Sequence, residues 1–191
     1  MNKEDQNSEV KTANTDKKMY LKFGAMIATS MIVMYVVMYT NTYQLSHIQW
    51  SDTRFFMTLL MGATMAIIML GYMLNMYKNT RINVGIILAS VGMFALGTFL
   101  VRSQVTVGDE SYMRGMIPHH SIAILTSENA NFDDVRVCEL AKEIVEAQKR
   151  EIDEMKWLIN DISENGPATN SEEAARRSVP EFVGEAIRRC E

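Results

Sequence analysis

The chain has 191 residues, and its 16 methionines and 48% hydrophobic content are unusual for a soluble domain of this length. The net charge of −4 conceals an asymmetry, because the stretch from Gln104 to Glu191 contains 10 Lys and Arg against 18 Asp and Glu, which is 10 − 18 = −8. A surface of that sign repels phosphate backbones, so the composition argues against nucleic acid as a partner.

Three long apolar runs account for the composition. They cover residues 21–40, 55–76 and 82–101. Each is close to the roughly 20 residues that cross a bilayer. Only Lys22 is charged within these windows, whereas the helices of a soluble bundle would have a polar face. The sequence therefore predicts three transmembrane helices within a membrane region at residues 20–102.

A polar tail at residues 1–19 precedes the first span, and cationic residues predict the orientation of the chain. They accumulate in the tail and its border and in the link between the second and third spans: Lys3, Lys11, Lys17, Lys18, Lys22, Lys78 and Arg81. The first loop has only Arg54. Because Lys and Arg mark the cytoplasmic side, the amino terminus is predicted to be cytoplasmic and the part after Arg102 periplasmic or exterior. With this tail before it, the first run is expected to be an anchor and not a cleaved signal peptide.

Methionines recur every four residues along the second span, at Met57, Met61, Met65, Met69 and Met73. A spacing of four drifts by about 40° per step around a helix of 3.6 residues per turn. Methionine also fills irregular apolar gaps. We therefore interpret these residues as packing or lipid-facing side chains and not as a conduit for Cu(I).

The loop between the first two spans contains His47, three residues before Trp50. Trp at this position is typical of an interfacial anchor. His47 is expected to be a solvated loop residue. Since it lies on the same side of the membrane as the motif that follows the third span, it is also a candidate metal ligand.

That motif gathers potential metal ligands within eight residues: Met113, Met116, His119 and His120. Thioether and imidazole donors together suit copper, and thioethers favour Cu(I). Residues three and four apart share a helix face, so Met116 can meet either histidine. The alternative is that the methionines fill the core and a histidine is merely solvated. Pro118 is expected to bend the helix or to make it begin afresh.

Helices are predicted at about residues 110–129, 134–162 and 171–190. Asp133 is the expected amino-terminal cap of the second helix. Its apolar residues follow a helical period: Val137, Leu140, Ala141, Ile144, Val145, Ile152, Met155, Ile159 and Ile162. Gln148 interrupts this stripe and either orients a motif histidine or meets water at the edge of the stripe. Met155 is either a further ligand or a packing residue.

Two segments, YMRGMIPHHSIAILTS and DVRVCELAKEIVEAQKREIDEMKWLI, resemble a bacterial family of ferritin-like helical domains known as domain of unknown function 305. The resemblance covers about residues 109–162, within a domain predicted at 104–163, and the preceding spans resemble those of the membrane-anchored three-helix members. It implies an all-α, ferritin-like hairpin or bundle outside the cytoplasm of the bacterial inner membrane, with a role in copper binding and copper tolerance. The family motif falls on His119, His120, Met113, Met116, Gln148, Glu151 and Met155. Members often carry the motif twice and this chain carries it once, which leaves open whether one chain or two complete a site.

Cys138 and Cys190 are both predicted to lie where disulfides persist. If the second helix and the C-terminal helical segment at residues 164–191 fold back on each other, both cysteines lie near the same end of the pair, which predicts a disulfide. The alternative is two free thiols, since Pro180 would bend the last helix and spoil the alignment.

The expected function is binding of copper, as Cu(I) above all, by a membrane-anchored protein that sequesters the metal or hands it to a partner. The sequence has no glycine-rich phosphate loop, nucleophile elbow or paired Glu-x-x-His signature. Neither enzymatic activity nor a nucleotide or organic cofactor is therefore expected. A homodimer is a possible assembly. The alternatives are a metal-free helical interaction module and a redox enzyme that uses the same copper.

Overall fold

The computed structural model describes residues 3–190, with side chains at residue 15 and from residue 17 onward. All regular elements within these residues are helical, which confirms the all-α class. In chain order they are α1 (Lys3–Val37), a short 3-10 helix (Leu45–His47), α2 (Asp52–Tyr72), α3 (Thr80–Ser103), α4 (Asp109–Asn129), α5 (Val135–Asn165) and α6 (Ser171–Arg176). They form two compact units, the three-helix unit of α1, α2 and α3 and the hairpin unit, which combines Met38–Asp52 with the chain after Val105.

The three-helix unit contains the three predicted spans. The stretches Lys17–Val37, Asp52–Tyr72 and Thr80–Ser103 are long and apolar enough to cross a membrane. Helix α1 begins at Lys3, so the backbone of the predicted tail is continuous with the first span. The tail side chains before residue 15, including those of Lys3 and Lys11, lie outside the described side chains.

A buried asparagine on α3 ties the three-helix unit together. Tyr20 of α1 donates a hydrogen bond to the Asn83 carbonyl oxygen at 2.8 Å, and the Asn83 amide donates to the Tyr77 carbonyl at 2.6 Å. Phe23 and Leu70 are buried beside this network. A buried polar side chain needs hydrogen-bond partners. These two contacts give one to the carbonyl oxygen and one to the nitrogen of the Asn83 side chain.

The hairpin unit is built on α4 and α5, which a five-residue connection joins as antiparallel neighbours. Helix α4 continues through Pro118, so the predicted restart of the helix at the proline does not occur. The buried core between α4 and α5 consists of Met113, Ile117, Ile124, Val145, Ile152, Met155 and Ile159.

Helix α5 begins one residue later than the sequence predicts, because Asp134 and not Asp133 is its cap. The Asp134 carboxylate accepts from the Arg136 amide at 2.9 Å and from the Arg136 guanidinium at 2.6 Å. These hydrogen bonds, the side-chain contact first, lower the pKa of the Asp134 carboxyl group. Two adjacent aspartates fit the sequence pattern of a cap equally well, and Asp134 is the one whose carboxylate also contacts the Arg136 guanidinium.

The predicted helix at residues 171–190 is wrong beyond Arg176. Residues 177–190, here called the strap, have no regular structure. Pro180 lacks an amide proton and disfavours helical geometry before it. The amides of Ile187 and Arg188 donate to the Glu128 carboxylate at 3.0 and 3.1 Å, so this distant side chain satisfies groups that a helix would satisfy internally.

The strap ends in a disulfide between Cys138 and Cys190, whose Cα atoms are 5.8 Å apart. This is the pairing that the sequence predicts, although an irregular strap and not a helix brings the cysteines together. Lys149 also donates to the Glu185 carbonyl of the strap at 2.7 Å. The strap is therefore fixed to α4 by Glu128 and to α5 by the disulfide and Lys149.

Candidate metal site

His120 lies at the centre of the hairpin, between the backbone carbonyl of Met116 and the carboxylate of Glu151. Its Nδ1 lies 2.9 Å from the carbonyl oxygen of Met116, one turn earlier on α4. Its Nε2 lies 2.8 Å from a carboxylate oxygen of Glu151 on α5. The His120 side chain is 11% exposed and that of Glu151 is 39% exposed. The contact therefore links α4 to α5, and its Glu151 side is the more exposed to solvent.

The two contacts constrain the protons of the His120 ring. A carbonyl oxygen only accepts, so Nδ1 must carry a proton that it donates to Met116. Nε2 then either carries a second proton, which makes an ion pair with Glu151, or presents a lone pair next to a carboxylate. A metal ion can take the place of the Nε2 proton, because imidazole nitrogen and carboxylate oxygen are both metal ligands.

His119 is exposed and its ring centroid is 6.2 Å from that of His120. Consecutive residues on a helix point about 100° apart, so the two imidazoles do not share one direction.

His47 is buried and is not the solvated loop residue that the sequence suggests. Its Nδ1 lies 2.9 Å from the hydroxyl of Ser121, which also accepts from the Tyr43 amide at 2.7 Å. Burial above all, and then the positive charge of Lys156, lowers the pKa of His47, while the negative charge of Asp153 acts in the opposite direction. His47 therefore attaches the loop Met38–Asp52 to α4.

The methionines of the motif pack in the core. Met113 and Met155 are 6% and 9% exposed and belong to the buried cluster, and Met116 packs against it from the edge. Gln148 is partly exposed. The side chain that contacts the His120 ring is Glu151, one turn further along α5. In the described part of the chain, no three His, Cys, Asp or Glu side chains are grouped to hold a metal ion.

The family model described as a domain of unknown function, DUF305, matches residues 98–180. An uncharacterized protein of Acanthamoeba polyphaga mimivirus is 31% identical over 145 residues, which cover 72% of this chain and 93% of the relative. The chain belongs to the DUF305 family. No solved structure matches this chain.

Within the DUF305 match lie all the motif residues on α4 and α5, including His120 and Glu151. His47 and its loop precede the matched range, and the strap residues that contact Glu128 follow it. From the sequence, Glu151 is a candidate site residue only through the family resemblance. No local pattern could have indicated it, because its contact with His120 joins residues 31 apart in the chain.

Proposed function

We propose that this DUF305 protein binds copper outside the cytoplasm and either sequesters the metal or hands it to a partner. The observation that supports this is the His120–Glu151 pair, in which a ring nitrogen and a carboxylate oxygen are 2.8 Å apart. Ligand atoms of these types lie about 2 Å from a bound ion, so two of them at this separation can share one. His119, Met113 and Met116 are the further ligands of the proposal.

Copper suits this donor set better than a hard cation does. Imidazole binds copper in both oxidation states, thioethers favour Cu(I), and a nitrogen–oxygen pair favours Cu(II). Met116 lies one turn before His120 and at the edge of the core, where a side chain with three rotatable bonds can turn toward the pair. The net charge of −8 after Arg102 raises the local concentration of cations.

The cationic residues around the spans support an inner-membrane location with the hairpin unit outside the cytoplasm. Lys17, Lys18, Lys78 and Arg81 border the proposed cytoplasmic ends of the spans. In this orientation the copper site and the Cys138–Cys190 disulfide share an oxidising compartment.

The alternative is a metal-free interaction module built on a ferritin-like hairpin. The burial of Met113 and Met155 favours it, since packing alone explains both residues. The two functions differ in what His119 and His120 do, because an interaction module has no need of imidazole nitrogens.

A titration of Cu(I) against a competing chelator tests the proposal. The full chain in detergent is compared with a His119→Ala/His120→Ala variant under reducing conditions mild enough to keep the disulfide. We expect tight binding in the wild type and its loss in the variant, with the helical content unchanged in both. Equal affinity in the two proteins would refute the copper site and favour the interaction module.

A further inference from the structure

The hairpin unit contains a polar cleft beside the buried His47. The cleft has a volume of about 190 Å³ and is lined by the loop Met38–Asp52, by helix α5 and by the strap. Residues 183–185 of the strap form one of its walls. Neither His120 nor Glu151 lines it, so it is separate from the candidate metal site. All of the residues that border the cleft belong to one compact unit.

The hydrogen bonds of Ser121 determine which ring nitrogen of His47 carries the proton. Ser121 is fully buried, and its oxygen accepts from the Tyr43 amide at 2.7 Å. Among the described residues, Nδ1 of His47, at 2.9 Å, is the acceptor within reach of the Ser121 hydroxyl hydrogen. A buried hydroxyl needs such an acceptor. Nδ1 of His47 is therefore assigned as the acceptor, and in the neutral ring Nε2 carries the proton.

The Nε2–H group of His47 is a donor that needs a partner of its own. The residue is only 5% exposed, and the described residues give Nε2 no acceptor within hydrogen-bond distance. Ser121 does not line the cleft, which leaves the Nε2 edge of the ring to face it. Buried donors in native proteins are nearly always hydrogen-bonded. The cleft therefore calls for a molecule that presents an acceptor to Nε2.

Two lysines line the cleft, and they differ in their contacts. Lys149 holds the wall together, because its ammonium donates to the Glu128 carboxylate and to a strap carbonyl at 3.3 and 2.7 Å. Lys156 forms a looser ion pair, with its nitrogen 3.6 Å from the Asp153 carboxylate. After burial, the charge of Lys156 contributes most to the lowered pKa of His47, and it outweighs the opposing effect of Asp153. The field of these charges at the ring therefore favours an anionic oxygen.

The remaining lining residues limit the size and charge of the ligand. A water molecule occupies about 30 Å³ in the liquid, so the cleft has room for roughly six non-hydrogen atoms. Ile152 and Val183 contribute apolar surface to it. Asp153 and Glu185 also line it, and their charges oppose a doubly charged ion such as phosphate. A short aliphatic chain with a single carboxylate fits all of these features.

We propose that this cleft binds a short-chain monocarboxylate, whose oxygens accept from Nε2 of His47 and from the ammonium of Lys156. Hydrogen bonds between ionised partners are stronger than neutral ones, which favours a carboxylate over water at this position. The site goes beyond the proposed copper binding and does not depend on it. Its loop and strap residues lie outside residues 98–180, so the match to the DUF305 family does not account for the cleft.

Nitrogen NMR of the imidazoles of the full chain in detergent tests the donor. The chain has three histidines, so a His119→Ala/His120→Ala variant contains His47 alone and assigns its signals in the wild type. At about pH 7.5 the His47 ring is neutral, since its pKa is lowered from 6.5. We expect the Nε2–H tautomer. The Nδ1–H tautomer would overturn the proposal, because Nε2 would then have no hydrogen to donate.

A titration with sodium butyrate, followed through the same signals, tests the ligand. Butyrate should shift the Nε2 signal of His47 until the shift saturates. Sodium chloride and sodium phosphate at equal ionic strength should not reproduce this response. A shift that never saturates, or that chloride reproduces, would leave Nε2 to water and overturn the site. A saturable response to phosphate as strong as that to butyrate would overturn the assignment to a monocarboxylate.

A Lys156→Gln variant tests the second donor. We expect about 10-fold weaker butyrate binding, the effect of losing a hydrogen bond to a charged group. The matched control is Lys142→Gln, because Lys142 is on the same helix, pairs with Glu146 at 3.9 Å and does not line the cleft. Both lysine side chains are partly exposed, so helical content should be unchanged in both variants. Wild-type affinity in Lys156→Gln, or an equal loss in Lys142→Gln, would overturn the proposal.

Discussion

The Glu151 carboxylate, which lies beside Nε2 of His120, is the group on which the proposed copper site depends most. A Glu151→Gln substitution replaces the carboxylate oxygen with a neutral amide of the same size. We expect it to weaken Cu(I) affinity by about 10- to 100-fold, the usual effect of removing a group that holds a metal-ligating histidine or supplies a weak ligand. A competition titration measures the change. Glu154→Gln on the same helix is the control and should leave the affinity unaltered.

Because His47 is buried and its ring contacts Ser121, we expect the attachment of the loop to α4 to depend on pH. A histidine whose folded pKa is depressed binds fewer protons in the folded than in the unfolded state, so stability falls as pH drops below its ordinary value of 6.5. The slope for a single group is at most about 1.4 kcal/mol per pH unit. The charged groups around the ring are Lys149, Lys156, Asp153 and Glu185.

Hydrogen exchange of residues 38–52 between about pH 7.5 and 5.5 measures this effect. After correction for the intrinsic pH dependence of exchange, the wild type should lose protection as the pH falls. A His47→Gln variant keeps a hydrogen-bonding group for Ser121 but cannot titrate, and its protection should depend less on pH. The same pH dependence in both proteins would show that another group controls the loop.

Among the elements, the strap depends on the close approach of one glycine. A Cβ atom at Gly184 would overlap the backbone carbonyl oxygen of Glu146. Backbone atoms cannot move aside as a flexible side chain can, so Gly184→Ala should displace the strap at a cost of about 1–3 kcal/mol. Faster hydrogen exchange at residues 183–190 would report the displacement. Gly108→Ala is the control, because open space surrounds that position.

Sequence patterns predict those elements whose signal is local. The three spans follow from apolar runs, and α4 and α5 from apolar residues at helical spacing. The strap could not be predicted, since it depends on Glu128 contacting amides about 60 residues away. The burial of His47 likewise depends on a hydroxyl 74 residues away. Leu140 and Ile144 are exposed because none of the described elements covers them, which helical periodicity cannot reveal.

At the scale of the whole molecule, the loop between the first two spans, Met38–Asp52, belongs to the hairpin unit. Tyr43 and His47 both contact Ser121, so a fragment beginning at residue 104 would lose the groups that bury this hydroxyl. An unsatisfied buried polar group costs about 1–3 kcal/mol. Metal-binding experiments are therefore best made on the full chain.

X-ray absorption spectroscopy of the copper-loaded full chain tests the central claim most directly, because it reports which atoms surround the ion. We predict imidazole nitrogen in the copper shell of the wild type, with a carboxylate oxygen or a thioether sulfur beside it. The imidazole signal should disappear in His119→Ala/His120→Ala. A wild-type spectrum without imidazole, or one that the double substitution leaves unchanged, would contradict a copper site at His120 and Glu151.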